Sequence, residues 1–179
     1  MIITLSGMPG SGKTTVAKRI AKKLKLKHYS TGDLRGKIAL KHGMNIDELN
    51  KTGEKERWTD KEIDDYQKRL GKTKDNFIID GRLGWYFIPK SIKIFLDVKL
   101  KEGAKRIFMA GKRPDEKKYR SINEALEEIK KRINSDKKRY KKYYNITPYL
   151  KKHYDLWLDT TNLAKEEVVD KVLKFVKNS

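Results

Sequence analysis

Residues 7–14 read Gly-Met-Pro-Gly-Ser-Gly-Lys-Thr and fill the pattern G-x-x-x-x-G-K-[ST] completely. Glycines at these spacings let the chain curl so that successive backbone N–H groups point inward at an anion, and a helix that follows adds its positive end. Lys13 would reach the β- and γ-phosphates of a nucleotide, and the Thr14 hydroxyl would hold Mg²⁺. The plain alternative is a glycine turn between a strand and a helix. A β-branched run before the loop and an amphipathic pattern after it favour the nucleotide reading, with Gly7, Pro9, Gly10, Ser11, Gly12, Lys13, Thr14 and Thr15 as the ATP contacts.

Such a loop does not choose its phosphate acceptor, and three further clusters bear on that choice. Tyr29-Ser30-Thr31-Gly32-Asp33-Leu34-Arg35-Gly36-Lys37 follows a short strand pattern, at the strand end where ligands bind in parallel sheets. Thr31 or Asp33 could simply cap the next helix, but Arg35 and Lys37 add cations suited to an anion. Asn76-Phe77-Ile78-Ile79-Asp80-Gly81-Arg82 ends a buried strand in a carboxylate, which can hold Mg²⁺ through water. Gly81 then permits a sharp exit, and the planar guanidinium of Arg82 matches a phosphate, unless this is a strand-end turn with a surface arginine. Arg132, Asp136 and Arg139 fall on one helical face, either as a solvated ion pair or, with Arg106 and Arg113 upstream, as cations brought to a transferring phosphoryl group. Phosphoryl transfer to a phosphate needs no dedicated base. His28, His42 and His153 are accordingly expected to have no catalytic role.

These groups need a scaffold, and the hydrophobic pattern supplies one. Strands are expected at Ile2–Leu5, His28–Ser30, Phe77–Ile79, Ile92–Leu96 and Leu156–Leu158. Helical faces are expected on Val16, Ile20 and Leu24; on Ile122, Leu126, Ile129, Ile133, Tyr140 and Tyr144; and on Val168, Val172, Phe175 and Val176. Alternating strands and helices predict an α/β fold with a parallel sheet covered on both faces. Two segments break the alternation and read as insertions at the sheet edge: residues 45–71, charged and helical, and the basic stretch 112–121. Tyr140 and Tyr144 read as core rather than as an RNA-stacking surface, whereas Trp85-Tyr86-Phe87 could wall a base pocket or cover the sheet.

The 179 residues suit one domain, and 37% hydrophobic against 38% charged residues excludes a disordered chain. Cysteine is absent, which excludes disulfides and Cys-based metal sites. The N-terminus lacks a signal-peptide core and no apolar run reaches membrane length. With cysteine absent, a cytoplasmic protein with no membrane partner is expected, and a monomer because no apolar stripe is left over for an interface. The net charge of +20 attracts polyanions, but lysines dispersed along the chain read as a solvated surface and predict no specific nucleic-acid partner.

Taken together, the P-loop, YSTGDL, DGRLGW, IFLDV, R-x3-D-x2-R and the final DTTNL closely resemble the short archaeal type of the cytidylate kinase family along nearly the whole chain. The resemblance implies a three-layer P-loop kinase fold on a five-stranded parallel sheet. Its core would be residues 1–44, 72–111 and 146–179, with a monophosphate-binding insertion at about 32–71 and a lid at about 112–145. It implies ATP- and Mg²⁺-dependent transfer to CMP or dCMP. Thr31, Gly32, Asp33, Arg35, Gly81, Arg82, Arg132 and Asp136 would hold the monophosphate. Lys13, Arg82, Arg113, Arg132 and Arg139 would serve the transfer, Thr14 and Asp80 the metal, and Thr161 and Asn162 the donor base. The sequence departs from relatives in having Arg35 one place early, with Gly36 behind it, Asp80 where archaeal relatives often carry Glu, and no DGFPR turn. An adenylate kinase, a shikimate-type metabolite kinase and an RNA-binding P-loop ATPase are the alternative readings.

Overall fold

The computed structural model describes residues 1–111 and 118–179. Among them the chain runs β1 (Ile2–Gly7), α1 (Lys13–Leu24), β2 (Lys27–Ser30), α2 (Thr31–Lys41), α3 (Ile46–Lys55), α4 (Trp58–Thr73), β3 (Phe77–Asp80) and α5 (Gly84–Phe87). It continues with β4 (Ile92–Asp97), α6 (Leu100–Ala110), α7 (Ile122–Tyr144), a 3₁₀ turn at Lys151–His153, β5 (Leu156–Asp159) and α8 (Lys165–Lys177). All five runs expected as strands are strands, each extended by one or two residues.

The strands form one parallel sheet in the order β2-β3-β1-β4-β5. Alternation along β1 sends Ile3 and Leu5 to one face, where Val16 and Ile20 of α1 and Val168, Val172 and Val176 of α8 complete an apolar cluster. The opposite face of the sheet offers Phe77 and Ile79 to Leu70 of α4 and to Ile88. Farther along that face, Leu83 and Trp85 pack on Tyr140 of α7. This is a three-layer α/β architecture. The connection out of β1 runs to β2 on one side and that out of its neighbour β4 to β5 on the other, so the sheet's carboxyl edge opens at a topological switch point between them. Register places Ser30 opposite Asp80, and Asp80 opposite Leu5, so the loops after β1, β2 and β3 converge there.

α3 and α4 follow α2 without an intervening strand and stand over that edge. The start of α3 is fixed by a capping box in which Asn45 Oδ1 accepts from the Asp47 and Glu48 N–H groups at 2.9 and 3.0 Å. Glu48 closes the box by accepting from the Asn45 N–H at 2.8 Å. α7 lies across α3, where Tyr143 donates to the Gly53 carbonyl at 2.7 Å and Lys138 pairs with Glu54 at 3.1 Å. The apolar stripe expected on α7 is buried at Ile129, Ile133 and Tyr140, although its first member, Ile122, is exposed. Among the described residues no helix is long and apolar enough to cross a membrane.

Candidate active site

The glycine loop between β1 and α1 is shaped by close approach. Gly10 adopts φ 79°, and a Cβ there would fall 2.3 Å from the Gly103 carbonyl oxygen of α6, so no side chain fits. Gly12 caps α1 without a side-chain partner, which leaves the helix's first N–H groups to a bound anion. Lys13 Nζ donates to the Met8 carbonyl at 3.1 Å and so lies back along the loop. Thr14 Oγ1 donates to Asp80 Oδ2 at 2.8 Å, joining the loop to the end of β3.

Asp80 is the hub of the β2–β3 edge. His28 Nε2 lies 2.7 Å from its Oδ1, Ser30 Oγ donates to its Oδ2 at 3.3 Å, and Thr31 donates to its carbonyl at 3.2 Å. His28, for which no catalytic role was expected, is a partner of Asp80 here. Once Ser30 pairs with Asp80, His28 shares its face two residues back along β2. Ser30, rather than Thr31 or Asp33, caps α2 by accepting from the Asp33 N–H at 3.2 Å.

Beside this hub runs an alternating ladder of charges. Arg82 donates from Nε to Asp136 Oδ2 at 2.8 Å and from Nη1 to the Gly7 carbonyl at 3.1 Å. Asp136 Oδ1 accepts from Arg139 Nη2 at 2.6 Å, and Arg139 Nη1 donates to Asp60. Asp60 Oδ1 also accepts from Arg35 Nη1 at 3.0 Å, while Arg35 Nε donates to Asn50 at 2.9 Å. Arg132, one turn before Asp136, donates to Asp47 at 2.9 Å and to the Tyr119 hydroxyl at 3.0 Å. Burial alone would raise the Asp136 carboxyl, but the Arg82 and Arg139 guanidiniums outweigh it and hold Asp136 below the usual carboxylate range. Arg35 moves the other way. Burial, and then the neighbouring Arg139 cation, push its pKa down, as expected of a guanidinium short of anions. Its Nη2 is buried without a partner among the described residues.

The loop, Asp80 and the ladder of charges face one cavity of about 970 Å³. Its wall takes in Pro9 through Thr15 of the loop; Thr31, Gly32 and Arg35 of α2; Asp80, Gly81 and Arg82 after β3; and Arg132, Asp136 and Arg139 of α7. Gly7 and Asp33 are not on the wall; the Gly7 carbonyl holds Arg82 from behind, and Asp33 is exposed. Thr161 and Asn162 are off it as well. The wall resumes at Leu163–Glu166, and the Thr160 and Thr161 carbonyls instead accept from Arg106 Nη2 at 2.8 and 3.0 Å. Arg113 lies outside the described residues. Trp85 is buried against Leu83 and Tyr140 and stacks on His153 at 4.1 Å, so it covers the sheet rather than lining the cavity.

Sequence reasoning passed over one stripe of the wall. Asp60, Asp64 and Gln67 stand on one face of α4, buried, within the charged segment that reads as an insertion at the sheet edge. The available signal was their interleaving with Ile63 and Leu70, which are buried on the same helix. Burial pushes the Asp64 carboxyl up to about 6, against the hydrogen bond that the Tyr144 hydroxyl donates at 2.5 Å.

The model of the cytidylate kinase-like family matches residues 2–162. A cytidylate kinase of Methanobrevibacter smithii is 33% identical over 177 residues, covering 99% of both chains. That of Methanocaldococcus jannaschii is 36% identical over 185 residues, covering 99% of this chain and 98% of the relative. Among solved structures, the shikimate kinase of Bacteroides thetaiotaomicron superposes with a TM-score of 0.68 at 16% identity, covering 99% of this chain and 98% of its own. The likeness at that identity is one of fold, that of the P-loop kinases.

Proposed function

The chain belongs to the cytidylate kinase-like family, and from that premise we propose that it transfers the γ-phosphoryl group of ATP to CMP or dCMP, giving ADP and the diphosphate. The observation that carries this reading is the single cavity in which a phosphate-binding loop and the guanidiniums of Arg35, Arg82, Arg132 and Arg139 stand opposite one another. Two anions brought end to end need such an arrangement.

In this reading the N–H groups of residues 10–15 and Lys13 take the phosphates of ATP. A phosphate oxygen of the acceptor attacks the γ-phosphorus while the bond to the β–γ bridging oxygen breaks, and ADP departs with those electrons. Arg82 and Arg132 align the acceptor phosphate. Arg139 and Arg35, locked by Asp60 and Asp136, add fixed positive charge where negative charge gathers. The acceptor's phosphate is already an anion, so no side chain has to remove a proton. Thr14 and Asp80 bring a hydroxyl and a carboxylate, both hard oxygen donors, to the wall within 2.8 Å of each other. They would hold Mg²⁺, which supplies charge neutralisation on the β- and γ-phosphates when bound.

Residues of about 32–71 then form the acceptor-binding unit, and about 112–145 the lid. The acceptor-binding unit and α7 are tied together by Arg132–Asp47, Lys138–Glu54 and Arg139–Asp60. Coupled ADP-release kinetics with AMP, CMP, dCMP, UMP and GMP test the proposal. CMP or dCMP should stimulate turnover far above background ATPase, and Lys13→Ala should abolish that stimulation. No stimulation by any monophosphate would overturn it.

A further inference from the structure

Phosphate chemistry leaves part of the cavity unused. Asp60, Asp64 and Gln67 follow one another at i, i+4 and i+7 along α4, so their side chains share a stripe. Asp60 is committed to Arg35 and Arg139. Asp64 Oδ2 accepts from the Tyr144 hydroxyl at 2.5 Å. Gln67, 2% exposed, donates its amide nitrogen to the Ile63 carbonyl at 3.4 Å. Its carbonyl oxygen, Oε1, is buried without a partner among the described residues. A buried acceptor with no donor costs stability, and so does a buried carboxylate beside another carboxylate. Folding alone gives no reason to keep both on one wall.

Distance suggests what they await. At 1.5 Å of rise per residue, Gln67 lies about 10 Å along α4 from Asp60, which marks the guanidinium end. That separation is comparable to the length of a nucleoside. Ile63, Leu83 and Tyr140 line the cavity too, and they present apolar and aromatic surface on which a flat ring can rest.

Resting on the reading of the preceding subsection, we propose that Gln67 Oε1 and the Asp64 carboxylate read the acceptor base by accepting the two N–H bonds of its exocyclic amino group. Cytosine carries that amino group at ring position 4, where uracil carries a carbonyl. Uracil in the same pose would set a carbonyl oxygen against two buried acceptors, with no donor between the facing groups. A site built to bond one hydrogen-bonding group rejects an analogue lacking it far more strongly than a pocket that measures size alone. The pair therefore separates amino bases from keto bases, and ring size must separate cytosine from adenine.

The test is kcat/KM for CMP and UMP at saturating ATP, with calorimetric CMP binding and thermal midpoints, for the unaltered protein and for Asp64→Asn and Gln67→Leu. The unaltered protein should favour CMP over UMP by at least about 100-fold. Gln67→Leu should lose about 10-fold or more with CMP, mostly through KM, and gain nothing with UMP. Asp64→Asn can turn its amide N–H₂ toward a carbonyl. It should lower CMP and raise UMP, narrowing the ratio about 10- to 100-fold. An unchanged ratio in both variants, or equal losses for the two substrates, overturns the inference and leaves the kinase reading standing. An unaltered protein that ignores CMP but turns over another monophosphate overturns the cytidine assignment of the preceding subsection instead. Should Asp64→Asn fail to fold, Gln67→Leu decides alone, because leucine nearly matches glutamine in volume.

Discussion

Arg139 is only 1% exposed although its guanidinium belongs to the cavity wall. It bridges Asp60 and Asp136, so truncating it takes a buried cation from two carboxylates at once and leaves Asp60 to Arg35 and Asp136 to Arg82. Arg82 is more open, and Asp136 keeps Arg139 and the Tyr149 hydroxyl if Arg82 is removed. Two arginines of one site should thus fail differently. Arg139→Ala should cost about 3–5 kcal/mol, a drop of order 10 °C in the thermal midpoint. Arg82→Ala should melt within a few degrees of the parent and lose at least about 100-fold in kcat/KM for the monophosphate. Calorimetry and kinetics on the two variants check this, and an Arg82→Ala protein that melts early with intact kinetics would make Arg82 structural. Asp64 yields a prediction of opposite sign. Its folded pKa is raised to about 6, so the folded state holds that proton more tightly than the unfolded chain. Its stabilising contribution is full below about pH 4 and fades as pH rises through 6. Asp64→Asn should match the parent at pH 4 and exceed it by roughly 1–2 kcal/mol at pH 7.5, short of the full linkage value because cavity water screens the charge. Urea unfolding at the two pH values measures it, and equal stability at both would show Asp64 to be unperturbed.

α3 shows how an element's end can matter more than its middle. Its capping box fixes the first turn, and that turn carries Asp47, the partner of Arg132. Asn45→Ala should cost about 1 kcal/mol. It should speed amide exchange in α3 while leaving the sheet unchanged, and raise KM for the monophosphate several-fold through a looser Arg132. Exchange rates in α3 equal to the parent's would mean that α7, not the cap, holds the helix. At this scale much was legible. β-branched runs such as Ile92–Leu96 have no partner but a sheet interior, and the α7 stripe announced its buried face out to Tyr140. What sequence periodicity could not show was the fate of charged positions. The wall stripe of α4 is polar because it faces a cavity rather than an apolar core, and one-dimensional patterning treats both charged cavity walls and charged surfaces as solvent. His28 was hidden for a related reason. Its partner lies 52 residues away, and only the parallel pairing of β2 with β3 joins them.

At the scale of the whole molecule, the sheet's polarity does the gathering. Five parallel strands end at one edge, so segments as distant as Thr14, Arg35, Asp80 and Arg139 reach one cavity without any long loop among the described residues. Over this frame lies a charge of +20, carried by 44 basic and 24 acidic residues. Both nucleotides proposed here are anions, and a field of one sign raises their local concentration at the cavity mouth. Salt should expose this. With a screening length of about 10 Å at 0.1 M, raising ionic strength from about 0.02 to 0.3 M should lower kcat/KM for both nucleotides several-fold. kcat should hardly move, because the ladder charges that serve the transfer are buried and screened far less. Single-stranded RNA should compete at low salt and lose its grip steeply as salt rises, the mark of counterion release without specific contacts. A kcat that falls with salt while KM stays flat would place the sensitive charges in the transfer step. Sub-micromolar RNA affinity persisting at physiological salt would make the polyanion itself a ligand and the surface charge a binding device.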